Sequence, residues 1–187
     1  EDFSEAAKKL RDDVLDTVAL WALPTYATKL LEEIQAMNDA VKFRSQEFHP
    51  KLIATEVLSD PVMMELAGDL WEGAVVASGV PDPSSDEPGV VRAREIMSKY
   101  APDVTFGTFA LMGLIRAELL VEGLRRAGPN LTRIRLVVTL EEMENWTDNI
   151  LGQPISFSKE SHQGFDKVRL MKVEEGKLTP LTGWLTP

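Results

Sequence analysis

The chain has 187 residues, 44% of them hydrophobic and 27% charged, a composition that supports one good core or two small ones and argues against disorder. Its 20 Lys plus Arg against 30 Asp plus Glu give a formal charge of −10. The positive charges are scattered, which suits neither a phosphate backbone nor an anionic membrane surface, so nucleic acid is not an expected partner. Cysteine is absent, which excludes disulfides, thiolate zinc sites and cysteine nucleophiles. No apolar run approaches the ~20 residues that span a bilayer, and the acidic, amphipathic opening does not read as a signal peptide.

In chain order, DFSEAAKKLRDDV puts Phe3, Ala7, Leu10 and Val14 on one helical face, with Asp2 or Ser4 available as cap. DTVALWA follows, an apolar run without polar alternation that predicts a strand buried on both faces. Pro24 suits the first turn of a helix that turns Leu30, Leu31, Ile34 and Met37 inward. KLIAT predicts a second strand. Asp60-Pro61 marks a strong helix start for PVMMELAGDLW, and Glu72-Gly73 leads into a third buried strand, AVVAS. This alternation predicts βαβ units and an α/β sheet with helices on its faces.

Residues 79–89, GVPDPSSDEPG, are too rich in Pro, Ser and acid to pack a core, and predict an exposed connection. VVRAREIMSKY is a helix with Val90, Ile96, Met97 and Tyr100 on its apolar side. Residues 106–127 form the longest helix, whose first half is apolar nearly all round (Phe106, Phe109, Leu111, Met112, Leu114, Ile115) and is expected to be buried. Gly128-Pro129 ends it. Thr132 caps a further helix with Leu136, Leu140 and Met143 inward. ISF, KVRLMKV and KLTPLTGWL then predict strands, with Glu175-Gly176 as a hairpin turn.

Chemistry-bearing residues are sparse. His49 and His162, the two histidines, lie far apart in polar loops without a metal-binding or catalytic partner set. Glu141, Glu142 and Glu144 do not converge on a helix, and Asp82 and Asp86 lack the spacing of a calcium loop. Ser45, Ser59 and Ser78 have no nucleophile-elbow context, and no glycine-rich phosphate loop is present. No catalytic residue, metal site or cofactor is expected, and the chain does not read as an enzyme. In α/β sheets ligands sit beyond the carboxyl ends of the strands, so the candidate ligand-binding residues are Ala22, Leu23 and Tyr26 after the first strand and Thr55 and Glu56 after the second. Trp21 reads as a core residue ahead of a ligand contact. Tyr26 is open to either a core or a crevice role, and Glu56 either meets a ligand's ammonium group or is an exposed loop acid.

Four segments resemble the type I periplasmic solute-binding proteins of ABC transporters, in the Leu/Ile/Val-binding branch. DFSEAAKKLRDDVLDTVAL is similar to the helix-then-strand entry into that family's second lobe, and LAGDLWEGAVVAS to the segment before its hinge-crossing strand. LLVEGLRRAGPNLTRIRLVVTLEEM resembles the paired helices that follow, and ISFSKESHQGFDKVRLMKVEEGKLTPLTGW the closing strands with their Gly-Lys turn and terminal Trp. The resemblance covers the C-terminal half of such a protein only. It implies Rossmann-like parallel-sheet lobes, with residues 1–78 in the second lobe, 79–89 an exposed inter-lobe loop, 90–150 helices of the first lobe, and 151–187 strands returning to the second. Tyr26 and the Thr55-Glu56 pair fall where second-lobe residues of the family meet ligand, although ATEVLSDP stands where the family often has a Gly-rich stretch.

The resemblance further implies an extracellular or periplasmic component of an ABC importer for a small organic solute: a branched-chain or other amino acid, or an aromatic or carboxylic acid. The partners would be the solute, a membrane permease, and the missing N-terminal half or a second copy of the chain, with a lipid anchor placed on the missing N-terminus. A ligand-sensing regulatory domain of the same fold and a cytosolic α/β enzyme are the competing readings.

Overall fold

The computed structural model describes residues 2–43 and 47–186; Ser45 lies outside them. The chain divides into two compact units, one built from Glu1–Ser78 and Arg169–Trp184, the other from Gly79–Val168 and Leu185–Pro187.

The first unit is a five-stranded sheet in the order β1-β2-β3-β4-β5. Helix α1 (Ser4–Asp12) leads to β1 (Thr17–Leu20), α2 (Pro24–Ala40), β2 (Lys51–Thr55), α3 (Pro61–Ala67) and β3 (Val75–Ser78). These three strands are parallel. Strand β4 (Arg169–Glu174) pairs antiparallel with β3, and β5 (Lys177–Pro180) antiparallel with β4. The local signals act as written: Pro24 occupies the first turn of α2, and the Asp60 carboxylate accepts a hydrogen bond from the Val62 N–H at 3.1 Å ahead of Pro61. The β4–β5 turn has left-handed φ at both Glu175 (54°) and Gly176 (70°), as a two-residue hairpin turn requires. The Glu72 carboxylate holds this turn from outside the hairpin, accepting from Glu175 N at 2.9 Å and Gly176 N at 3.2 Å.

The core of this unit lies on one face of the sheet. Val18, Leu20, Ala54, Val76 and Val173 pack there with Ala27 and Leu31 of α2, Met63 and Ala67 of α3, and the fully buried Trp71. The expectation of strands buried on both faces fails: β1 alternates exposed and buried residues, and Ile53 on β2 is 45% exposed. Right-handed crossovers that step twice in one direction place both connecting helices on the same side, so α2 and α3 cover one face, and Ala19, Ile53, Val75 and Ala77 share the other. Val14, expected on the packed face of α1, instead sits beyond the helix end at φ 52° and is exposed.

The second unit contains α4 (Pro88–Tyr100), α5 (Thr108–Ala127) and α6 (Arg133–Glu141), the last capped by Thr132, whose hydroxyl accepts from Arg135 N at 3.1 Å. Its packing departs from expectation in three places. Residues 79–89 are not simply exposed: Val80, Pro81 and Pro83 are buried, Val80 joins Met143, Leu151 and Ile155 in one cluster, and Arg94 donates to the carbonyls of Pro83 (3.0 Å) and Ser85 (2.9 Å). The first half of α5 is buried only at Thr108 and Leu111, with Phe109 48% exposed; Tyr100, at the end of α4, is also exposed. ISF makes a single bridge, Ile155 to Trp146, rather than a strand, because the segment folds back on its own unit through Phe157 N to Met143 O and Ser156 N to Gly164 O.

Glu118 of α5 ties the unit together. Its carboxylate accepts from the buried Ile150 N–H at 2.6 Å and pairs with Arg92 of α4, which also lies 3.8 Å from Asp148. Burial holds the Glu118 carboxyl above its ordinary range, against the opposing pull of the Ile150 N–H and Arg92. Gly89, at the start of α4, allows a close approach: a Cβ there would stand 2.1 Å from the Ile150 carbonyl oxygen.

Two predictions follow from these contacts. Gly89→Ala is expected to cost about 1–3 kcal/mol in urea unfolding through overpacking, whereas Gly113→Ala on α5, where a Cβ meets nothing within 4 Å, is expected to stabilise by roughly 0.5–1 kcal/mol; equal effects would contradict the packing described. Glu118→Ala leaves the Ile150 N–H unpaired and is expected to cost about 1–3 kcal/mol. Because the folded carboxyl is held above its unfolded value, its contribution is present below that value and is lost as pH rises through the raised one. The stability of the natural chain relative to Glu118→Gln should therefore decline as pH increases across that window, in urea melts at a series of pH values.

Candidate functional site

The carboxyl ends of β1 and β2 lie side by side. Their register pairs Leu20 with Ala54, so the segments that leave the two strands, 21–26 and 55–56, begin as neighbours at one end of the sheet. All five predicted ligand-binding residues stand there. Ala22 and Leu23 form the β1–α2 link, with Ala22 half-buried and Leu23 54% exposed. Tyr26 sits in the first turn of α2, 41% exposed, its ring held 6.2 Å from that of Phe3 in a tilted arrangement. Thr55 ends β2 and Glu56 opens the short 3₁₀ turn Glu56–Ser59; both are half-buried.

Why the chain builds this corner is local. Leu23 is extended (φ −78°, ψ 155°) because Pro24 follows it, while Ala22 packs against the core cluster of the sheet. Leu23 is the N-cap of α2 and supplies no side-chain cap, so the partially positive end of the helix is left facing this corner. On the β2 side, Ser59 Oγ donates to the Glu56 carbonyl at 2.6 Å, which fixes the turn that follows Thr55. The Thr55 hydroxyl is itself buried and unpaired in the structure, and Thr55 falls on the Ile53 side of β2 rather than on the packed face.

Trp21 is where the sequence reading fails. Expected in the core, it is 91% exposed. In β1 the packed positions are Val18 and Leu20, and the next residue in that alternation points away from the core. Composition cannot reveal this parity; the register of the strand decides it. The two histidines remain in polar surroundings, His49 2.9 Å from Glu47 and His162 2.9 Å from Glu141. Among the described residues, no group of three or more His, Asp or Glu side chains is placed to hold a metal ion, and no helix is long and apolar enough to cross a membrane. A separate cavity of about 350 Å³ opens at the opposite end of the sheet, beside Lys51, Asp69, Glu72 and Gly73 at the starts of β2 and β3.

The corner offers apolar surface at Leu23 and Tyr26, the Thr55 hydroxyl, the Glu56 carboxylate and a helix terminus. The chain aligns over its full length with a branched-chain amino acid ABC transporter protein from Thermus thermophilus solved with bound valine (TM-score 0.83, 20% identity, 50% of that chain covered). It aligns equally fully with a fatty acid ABC transporter substrate-binding protein from Thermomonospora curvata (TM-score 0.80, 22% identity, 47% covered). A solute-binding protein from R. palustris in complex with benzoate is similar in fold (TM-score 0.72, 16% identity, 48% covered). The chain thus spans about half the length of the structures it matches. No curated protein matches it in sequence. The family model described as periplasmic binding protein matches residues 1–177, nearly the whole chain, and the chain belongs to that family.

Proposed function

We propose that this chain is the C-terminal half of the solute-binding component of an ABC importer, capturing a small organic solute and presenting it to a membrane permease, without catalysis. The observation that carries this reading is the convergence of Ala22, Leu23, Tyr26, Thr55 and Glu56 at the carboxyl ends of two adjacent parallel strands, where ligands of open α/β sheets bind. The apolar character of Leu23 and Tyr26 and the uncapped start of α2 suit a solute with an apolar body and a carboxylate: a branched-chain or other amino acid, or an aromatic or carboxylic acid. The solved relatives hold or are named for valine, fatty acid and benzoate, and all three carry a carboxyl group.

In this reading residues 1–78 and the closing strands belong to the second lobe and 90–150 to the first. The N-terminal half of the protein, or a second copy of the chain, covers the apolar surfaces left open. The working place is the periplasm or cell exterior, as for the family. A sensory domain of the same fold would bind solute identically and differ only in what closure triggers.

The test is a thermal-shift screen of the full-length protein that carries this chain, against amino acids, aromatic acids and short carboxylates. A solute present at about 100 times its Kd is expected to stabilise the folded state by roughly 2.7 kcal/mol, a rise of several degrees in Tm. Turnover of any of these compounds, or no shift with any of them, would overturn the reading.

A further inference from the structure

We infer that Trp21 is a specificity-determining residue, forming with Leu23 and Tyr26 an aromatic shelf at the carboxyl end of β1 that selects a solute with an aromatic ring. The inference rests on the solute-binding reading proposed above and names the solute's class. Tryptophan is highly buried on average and ordinarily removes about 150–250 Å² from water. Here it is 91% exposed, beside Leu23 at 54% and Tyr26 at 41%. These three large apolar side chains fall within six positions of one strand end.

The shelf is held in place rather than loose. β1 is hydrogen-bonded to β2 up to Leu20, Pro24 fixes the start of α2, and Phe3 braces Tyr26 at a ring distance of 6.2 Å. Trp21 is therefore presented from a rigid strand end, at the end of the sheet where the solute is proposed to bind. No lysine or arginine lies among residues 17–28, so nothing on this strand end competes for the indole face by a cation–π contact. An exposed indole offers an offset or edge-on contact to another ring, and such contacts add to simple area burial.

Solute pairs that differ only in the ring isolate this contribution: phenylalanine against alanine, and phenylacetate against acetate. Calorimetry on the full-length protein is expected to show at least one ring-bearing member binding about tenfold or more tighter than its ringless counterpart. Trp21→Ala should remove most of that advantage while Trp21→Phe keeps it. Tryptophan emission supplies a second readout. The difference between the natural protein and Trp21→Phe reports Trp21 alone, and it is expected to be that of a water-exposed indole without solute and to shift to the blue with phenylalanine or phenylacetate. Equal binding within each pair, or ring preference unchanged by Trp21→Ala, overturns this inference while leaving solute binding intact. A Trp21 emission already blue-shifted without solute, together with a lower Tm in Trp21→Ala, overturns it as well, since Trp21 is then covered by protein. Failure of all solutes in the wider thermal-shift screen defeats the binding reading itself.

Discussion

Everything in the first unit depends on which side of its sheet is covered. Two successive right-handed crossovers carry β1 to β2 and β2 to β3, and both connecting helices land on the face that holds Val18, Leu20, Ala54 and Val76. Trp71, with no exposed surface, packs in the same cluster. The opposite face carries Ala19, Ile53, Val75 and Ala77, of which Ala19 and Ile53 are exposed and Val75 and Ala77 half-buried. Parallel strands such as β1 to β3 ordinarily have both faces covered. The second unit repeats the pattern on its helices, since Leu120 and Val121 of α5 and Ile134 and Val137 of α6 are all exposed. The chain spans about half the length of its solved relatives.

The same geometry sets the site. Strand parity that turns Leu20 into the core turns Trp21 out of it, and the parallel pairing of β1 with β2 brings Tyr26 and Leu23 to the same end as Thr55 and Glu56. The helix α2 then starts at this corner without a side-chain cap. Apolar shelf, carboxylate and helix terminus are consequences of one topological choice rather than independent features, and none of them requires a chemical step.

Much of this was legible in the sequence because it rests on local rules. Asp60-Pro61 and Thr132 cap their helices by hydrogen bonds three or fewer residues long, Glu175-Gly176 supplies a pair of left-handed turn residues, and KLIAT is strand from its first residue to its last. What escaped depends on partners distant in the chain. The burial of Val80 needs Met143 and Leu151. The role of Glu118 needs the Ile150 N–H, thirty-two residues away. The apolar run around Trp21 looks like a strand buried on both faces, since composition carries no sign of how many faces are covered. The long helix α5 misled for the same reason: Phe109 is apolar, yet nothing in the described chain packs over it fully. ISF has strand-like composition, but its backbone is satisfied within its own unit by Phe157 N to Met143 O and Ser156 N to Gly164 O.

The most direct measurement is sedimentation velocity of the purified chain at micromolar concentration. If the uncovered sheet face and the exposed sides of α5 and α6 are surfaces meant for other polypeptide, the chain alone associates, as a dimer or larger, and addition of the N-terminal half of the protein converts it to a one-to-one complex. A chain that stays monomeric at those concentrations and ignores the N-terminal half would contradict the account.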